Sequence, residues 1–346
     1  MKNFFHFLKK PFVIAEVGVN HECSLIKAKK LIDLAKLGGA DAVKFQTYKA
    51  ENLAIQKSRY YWDIKKEKEK TQFSLFKKFD KFEKKDFIKL AKYSQTKKIV
   101  FLSTPFDFNS VDFLNPLMPF FKVASADITN FPLLEKIASK KKPILLSTGA
   151  SNVSEINKAY NFLKEKKCKN IAIMHCVLSY PTKNNDANLS MIQYLKKKFP
   201  YCEVGYSDHT IPDKNMLTLT SAYLLGANII EKHFTDNKKK KGNDHYHSMD
   251  FKDLKYFKNI LNQISILKGS LNKKAVLQCE KKSRKFARRS IVAKIDLKKN
   301  IILRNIHLDY KRPGLGISPA NYKKILGMRT RKKIKYDQII KFKDLK

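Results

Sequence analysis

The stretch FVIAEVGVNHECSLIKAKKLIDLAKLGGADAVKFQ, residues 12–46, contains one complete strand–helix–strand unit. It begins with the apolar run FVIAE and ends with AVKFQ, and both runs have the length and composition of strands. The segment between them, SLIKAKKLIDLAKLGG, repeats apolar residues at spacings of three and four, which is the period of a helix with one buried face. Two strands joined through a helix predict a parallel pair.

The same alternation of short apolar runs and longer amphipathic segments continues to about residue 268. It gives eight candidate strands, at residues 12–16, 42–46, 99–103, 120–124, 143–147, 171–176, 202–206 and 228–233. Eight such units predict an α/β fold, a (β/α)8 TIM barrel, with a doubly wound sheet as the alternative. The long, Lys- and Glu-rich segment 49–98 is expected to hold an active-site loop and helices.

The texture of the sequence changes after about residue 270. Residues 270–284 are polar and basic, as in a linker, and short β-like pieces with a turn-rich KRPGLGIS follow them. We therefore predict a catalytic domain over residues 1–269, a linker over 270–284 and a small second domain over 285–346.

The formal net charge of +41 raises the question of nucleic-acid binding. Only eight of the 72 basic residues are arginines, the residue favoured for base and phosphate recognition, and the lysines are spread along the chain. We interpret them as solvated surface charge and expect no nucleic-acid partner. The five cysteines form no CxxC pair, and no apolar stretch has the length of a membrane helix, so we expect a cytoplasmic protein.

Polar side chains follow the predicted strands at the points where the strands end. In a barrel, these ends meet at one mouth, where catalytic sites lie. Two lysines with Ser and Thr hydroxyls suit a phosphate and a carboxylate, two histidines on adjacent strands suit a divalent metal, and the carboxylates can bind hydroxyl groups or move protons. The polar residues at and after these strand ends include Glu16, Lys44, Gln46, Thr104, Lys122, Ser125, Asp127, Tyr180, Ser207, His209, His233 and Asp244.

Nine segments that contain these residues resemble the sialic acid (N-acetylneuraminate) synthase family, which includes legionaminate and pseudaminate synthases. They occur in family order and are IAEVGVNHECS (14–24), ADAVKFQTY (40–48), FLSTPFD (101–107), FKVASADITNFPLL (121–134), PILLSTGAS (143–151), HCVLSYPT (175–182), VGYSDHT (204–210), IIEKHFTD (229–236) and KGNDHYHSMD (241–250). The C-terminal segments KFARRSIVAKIDLKK and DYKRPGLGIS resemble the antifreeze-like (SAF) domain that follows the barrel in this family.

The resemblance implies a role for each matched residue. His209 and His233 match the ligands of a Mn2+ ion, or of Mg2+ or Co2+, and Glu16 matches a catalytic carboxylate between the two substrates. Lys44, Thr104, Lys122, Ser125 and Ser207 match positions that hold phosphoenolpyruvate. The positions around the acceptor sugar match Gln46, Asp127, Tyr180 and Asp244, together with Phe286 and Arg312, which would reach the site of the partner subunit in a domain-swapped homodimer.

The implied activity is that of a transferase that condenses phosphoenolpyruvate with an N-acylated amino sugar. N-acetylmannosamine, giving N-acetylneuraminate and phosphate, is the preferred acceptor, and a 2,4-diacetamido-trideoxy hexose, giving N,N'-diacetyllegionaminate, is the alternative. A non-catalytic polyanion-binding or polysaccharide-assembly protein is the alternative of a different class. Leu178 replaces a polar group common near phosphoenolpyruvate, and four histidines stay outside the predicted metal set: His21, His175, His245 and His247.

Overall fold

The computed structural model describes residues 4–7, 11–242, 244–269 and 274–346. The chain divides into two compact units, Met1–Lys268 and Gly269–Lys346. Over the described ranges, no helix combines the length and the apolar character needed to cross a bilayer.

The first unit contains eight strands, and each lies within two residues of a run predicted from the sequence. They are β1 (Phe12–Gly18), β2 (Ala42–Thr47), β3 (Val100–Pro105), β4 (Phe121–Val123), β5 (Ile144–Ser147), β6 (Ile171–Cys176), β7 (Glu203–Asp208) and β8 (Ile229–His233). All the ladders between them are parallel, in the order β3-β2-β1-β8-β7-β6-β5-β4, and β3 also lies against β4. The sheet thus curves into a barrel, which confirms the predicted fold.

Helices connect successive strands and cover the outside of this barrel. They are α1 (Leu25–Gly38), α2 (Ala50–Leu53), α3 (Gln72–Phe79), α4 (Lys84–Thr96), α5 (Phe108–Leu114), α6 (Phe131–Ala138), α7 (Val153–Glu165), α8 (Ser190–Lys198), α9 (Leu217–Leu224) and α10 (Phe251–Lys268). The segment between β2 and β3 contains α2, α3 and α4, together with the loop before α3.

Helix α1 shows how the sequence sets these boundaries. Ser24 caps its first turn by accepting a hydrogen bond from the Lys27 backbone amide, and Gly39 ends it in a left-handed conformation with φ of 91°. The buried face carries apolar residues at helical spacing, Ala28, Leu31, Ile32 and Ala35. At Gly38 a Cβ atom would come within 2.6 Å of Leu254, so this glycine permits the close approach of α10.

The second unit has its own apolar core and only a small sheet. Strands β9 (Ser290–Ala293) and β10 (Leu308–Lys311) pair antiparallel, and the helices are α11 (Glu280–Ala287) and α12 (Tyr322–Ile325). The buried core includes Ile291, Leu303, Ile317, Ile325, Ile334 and Ile340. Of the predicted linker, residues 270–273 lie outside the described residues, and α11 begins within its last part, because polar, lysine-rich sequence is compatible with an exposed helix.

Candidate active site

A cavity of about 420 Å3 opens at the carboxyl ends of the barrel strands. The parallel register places strand-end residues at one level, so that Glu16 on β1 lies beside Lys44 on β2 and His233 on β8. All twelve barrel residues singled out from the sequence line this cavity: Glu16, Lys44, Gln46, Thr104, Lys122, Ser125, Asp127, Tyr180, Ser207, His209, His233 and Asp244. Their common location agrees with a single site, while the individual roles stay predictions.

Two buried lysines form the positive part of the cavity. Lys44 Nζ pairs closely with Glu16 and donates to Thr104 Oγ1 at 3.1 Å. Among the described residues, the polar contacts of Lys122 Nζ are long, 3.4 Å to the carbonyl of Val123 and 3.5 Å to Glu231 Oε1. Because an ammonium group offers three donors, Lys122 retains hydrogen-bonding capacity for an anionic ligand.

Glu231 is a component of the site that the sequence interpretation did not assign. Its Oε1 atom lies 3.7 Å from Lys44 Nζ and 3.5 Å from Lys122 Nζ, and it accepts a hydrogen bond of 3.1 Å from Ser207. Burial favours the neutral acid, but the two lysines outweigh it, so the pKa of Glu231 is lowered. The carboxylate offsets the charge of both lysines in the free enzyme. An acidic residue within the otherwise buried run IIEKH was the available signal.

Ser125 is held at the cavity by the backbone of the neighbouring strand end. Its Oγ accepts a hydrogen bond of 2.9 Å from the amide of Gly149, the second residue after the end of β5. A Cβ atom at residue 149 would lie 2.9 Å from the same oxygen and 3.2 Å from the amide nitrogen of Leu178. The glycine therefore leaves room for the serine hydroxyl at the floor of the cavity.

Glu16 is the carboxylate with the most altered acidity on this side. Its side chain is 2% exposed, it pairs with Lys44, and its Oε1 accepts a hydrogen bond of 3.3 Å from Gln46. Burial raises the pKa of Glu16 to about 7, and the nearby charge of Glu231 adds to this effect, although Lys44 opposes it. A carboxyl group with this pKa exchanges its proton readily near neutral pH.

Three imidazoles, of which His209 and His233 line the cavity, cluster near the ends of β7 and β8. The ring centroids of His209 and His233 are 5.4 Å apart, and that of His247 lies 4.9 Å from His233. Burial, followed by the neighbouring imidazoles, lowers the pKa of His233 and of His247 well below the usual range. Both rings are therefore neutral at pH 7 and offer lone pairs to a metal ion.

The surroundings of these rings fit a divalent cation. His209 Nδ1 lies 2.7 Å from the carbonyl oxygen of Val177, which leaves Nε2 as the ligand atom. The Nδ1 atom of His233 is buried without a hydrogen-bond partner within the described ranges and lies 3.3 Å from Asp244 Oδ2. Burial raises the pKa of Asp244 to about 6. A metal bound to neutral imidazoles beside a carboxylate would satisfy these groups.

The other three histidines outside the predicted metal set have structural partners. His21 stacks on Phe82 with ring centroids 4.3 Å apart, and His175 Nε2 lies 2.8 Å from the carbonyl of Ala187. His245 contacts Thr235 Oγ1 at 2.7 Å and Glu22 Oε1 at 3.0 Å. These contacts agree with leaving His21, His175 and His245 out of a metal site.

One buried ion pair near the mouth stabilises the barrel and does not line the cavity. Lys232 pairs with Asp208, donates to the carbonyl of Thr210 at 2.7 Å, and is 1% exposed. Asp208 also accepts from Tyr206 at 2.9 Å. This network ties the end of β7 to β8 directly beside His209 and His233.

Apolar and aromatic side chains form another part of the cavity lining, called here the apolar wall. Many of them come from the segment between β2 and β3, which confirms that this segment contributes to the site. The lining includes Val19, Tyr48, Leu53, Tyr61, Trp62, Leu75, Phe76, Phe79, Phe106, Leu178 and Tyr246. Among the polar groups, Asp127 Oδ2 is buried without a partner in the described part of the chain, and burial raises the pKa of Asp127.

Phe286 and Arg312, the two predicted sugar-site residues outside the barrel, lie in the second unit. Phe286 is in the last turn of α11 and is 49% exposed. Arg312 directly follows β10, precedes a cis bond to Pro313, and is exposed. A contribution of these side chains to the site of a partner subunit stays a prediction.

Comparisons with known proteins identify both units. Residues 31–273 match the NeuB family and residues 288–346 match the SAF domain. The chain is 41% identical to an N,N'-diacetyllegionaminic acid synthase of Campylobacter jejuni, over 96% of this chain and 100% of that protein. It is 37% identical to the protein of the same name from Legionella pneumophila, over 92% and 90%.

Among solved structures, the N-acetylneuraminic acid synthetase of Leptospira borgpetersenii, in complex with citrate, is 35% identical. The match has a TM-score of 0.68 and covers 80% of this chain and 90% of that one. The fold, the grouping of the strand-end residues and these similarities agree with one another. The chain belongs to the NeuB family and is a nonulosonic acid synthase, an enzyme of the sialic acid synthase type.

Proposed function

We propose that this enzyme condenses phosphoenolpyruvate with an N-acylated amino sugar, giving a nine-carbon 2-keto acid and phosphate. The observation that carries the proposal is the pair of buried lysines, Lys44 and Lys122, beside Glu16 at the floor of the cavity. A small molecule with several negative charges is the ligand that such a floor stabilises.

The phosphate and carboxylate of phosphoenolpyruvate are assigned to this floor. Lys122 has donors to spare, and the hydroxyls of Ser125, Thr104 and Ser207 lie around the same space. Burial lowers the pKa of Lys122 and the charge of Glu231 opposes this effect, whereas the pKa of Lys44 is raised because Glu16 and Glu231 together outweigh its burial. Neither lysine has to form a Schiff base, since both act as charged donors.

The metal is assigned to the imidazole side. His209 and His233 would hold Mn2+, or Mg2+ or Co2+, which supplies Lewis-acid polarisation of the acceptor carbonyl when bound. Tyr180 packs against His209 with ring centroids 4.2 Å apart, so it borders the position of the acceptor. Gln46, Asp127 and Asp244 would bind the polar groups of the sugar.

Glu16 lies between the lysines and the imidazoles of the site, and its carboxylate acts on the enol group of phosphoenolpyruvate. The π electrons of phosphoenolpyruvate form the new bond from carbon 3 to the aldehyde carbon, whose oxygen takes up a proton from solvent. Positive character then develops at carbon 2, and the carboxylate of Glu16 stabilises it. Water adds at carbon 2 and gives a proton to Glu16, whose pKa of about 7 suits that transfer. Cleavage of the bond from carbon 2 to the phosphate oxygen releases phosphate and leaves the keto group.

The apolar wall of the cavity favours a 2,4-diacetamido-trideoxy hexose as acceptor. Such a sugar carries a methyl group at carbon 6 and two acetamido methyls, and these groups match an apolar wall that includes Leu178, Phe76 and Trp62. Two synthases, from Campylobacter and Legionella, that match over 96% and 92% of this chain are named for the diacetylated product. N-acetylmannosamine, preferred from the sequence alone, is the second candidate.

A homodimer is the proposed assembly, with Phe286 and Arg312 of one subunit facing the acceptor of the other. An Arg312→Ala variant should then bind the sugar more weakly and keep its affinity for phosphoenolpyruvate. Sedimentation of the intact enzyme tests the assembly itself. A cytoplasmic location also stays a prediction.

The activity is tested by phosphate release from phosphoenolpyruvate with Mn2+, in the presence of the diacetamido hexose, N-acetylmannosamine or no sugar. We expect sugar-dependent release, faster with the diacetamido hexose. Faster release with N-acetylmannosamine would reverse the acceptor assignment. A protein that fails to bind phosphoenolpyruvate would contradict the whole proposal and favour a non-catalytic role. His209→Ala is the inactive control.

A further inference from the structure

His247 lies in the loop after β8, in the sequence DHYHSMD (residues 244–250), and the proposed function gives it no role. Its side chain is 0% exposed, and neither ring nitrogen has a hydrogen-bond partner within the described ranges. Buried polar groups are nearly always hydrogen-bonded, so such an imidazole indicates a missing ion or water.

The position of His247 points to an ion. In the part of the chain that the structure describes, the one group of three side chains able to hold a metal, with ligand atoms within 4.8 Å of one another, consists of His233, Asp244 and His247. His209 is not part of that group, but its ring centroid lies 6.3 Å from that of His247 and 5.4 Å from that of His233. Two imidazoles bound to one ion at about 2.1 Å have centroids about 4.5 to 6.5 Å apart, depending on the angle between them.

The remaining contacts of His247 give no structural reason for a histidine. The ring packs against Tyr180 and Tyr246 at centroid distances of 5.6 and 4.9 Å, which an apolar side chain could also do. Its nearest charged neighbour is Asp244, whose Oδ1 lies 3.8 Å from Nε2. His245, two residues earlier in the same turn, uses both ring nitrogens for hydrogen bonds. The loop is thus tied down by His245 and not by His247.

We propose that His247 is a further protein ligand of the divalent metal ion, in addition to His209 and His233. The inference rests on the proposed function of the site. A third imidazole adds a nitrogen donor and leaves fewer positions for water. It therefore favours Mn2+, Co2+ or Zn2+ over Mg2+, which prefers oxygen ligands and keeps its water.

The test compares His247→Leu with the matched control His245→Leu in the full-length enzyme. Calorimetric titration with Mn2+ should show that the dissociation constant of His247→Leu rises at least about tenfold, the effect of removing even an indirect partner of a bound metal. The thermal midpoint of the metal-free variant should stay level or rise, since two unsatisfied nitrogens are removed. His245→Leu should show the reverse, a lower midpoint with Mn2+ affinity within about twofold of the parent.

A measurement on the unmodified protein keeps the proposal testable if His247→Leu does not fold. Spin-echo modulation of bound Mn2+ should report nitrogen couplings from three imidazoles, and two would refute the assignment. His209→Ala separates the two levels of inference. If it loses Mn2+ while His247→Leu binds normally, only the third ligand is wrong. If neither variant changes Mn2+ affinity, the proposed metal site itself is wrong.

Discussion

Replacing Lys122 with methionine tests the assignment of the phosphate site. Methionine keeps the apolar stem and removes the charge. The ammonium group is buried, and its contacts to Val123 and Glu231 are both 3.4 Å or longer, so little is lost in the free enzyme. Glu231 keeps Lys44 at 3.7 Å and Ser207 at 3.1 Å. We therefore expect the variant to fold and to be impaired mainly when phosphoenolpyruvate binds.

The size of the effect follows from the bond that the ligand would make. A charge-assisted hydrogen bond contributes about 1.5–3 kcal/mol. The dissociation constant of phosphoenolpyruvate should therefore rise about ten- to 150-fold, at about 1.4 kcal/mol for each factor of ten. Isothermal titration in the absence of sugar measures this constant directly, and thermal unfolding checks that the variant is folded.

The matched control is Lys136→Met on the outside of the barrel. Lys136 is in α6, pairs with Asp112 at 2.9 Å, and does not line the cavity. The Lys136→Met substitution also removes one positive charge from a chain of net charge +41. Since exposed charges are screened by salt, we expect less than about a twofold change. Equal weakening in both variants would favour general attraction by net charge. Either that result or an unchanged affinity in Lys122→Met would refute the view that Lys122 binds the phosphate.

Three further predictions concern acidity, packing and stability. The carboxylate form of Glu16 is the active form, so kcat/KM should rise as the pH passes the pKa of Glu16, about 7. The Glu16→Gln variant should lose this rise and about 100-fold in rate. A parallel pH profile in both proteins would contradict the role. In Gly149→Ala the new Cβ would lie 2.9 Å from Ser125 Oγ. This contact should lower the free energy of unfolding by about 1–3 kcal/mol and raise the KM for phosphoenolpyruvate. An unchanged melting temperature and KM would show that Ser125 can move freely. Lys232→Met leaves the carboxylate of Asp208 buried without its cation. The free energy of unfolding, measured in urea, should fall by about 3–5 kcal/mol. A loss below about 1 kcal/mol would mean that water reaches the carboxylate.

The strands and their order could be predicted from the sequence because local patterns fix them. A run such as FVIAE is too apolar for the surface, and a helix of period 3.6 must bury its apolar face, so alternation of the two dictates parallel strands with outer helices. The grouping of Glu16, Lys44 and His233 at one level then follows from strand register, which brings together residues that are far apart in the chain. For the same reason, the residues at the strand ends could be predicted from the sequence.

The sequence by itself thus determined the barrel, the family and the set of side chains at its mouth. Only the tertiary structure decided which of these groups are satisfied. His245 and His247 are two residues apart in one turn and look alike in the sequence, yet one makes two hydrogen bonds and the other has neither nitrogen paired in the described part of the chain. Glu231, too, became part of the site only when Lys44 and Lys122 were placed around it. The physical reason is that hydrogen bonding, desolvation and charge pairing depend on neighbours from other strands and loops, and local sequence does not specify those neighbours.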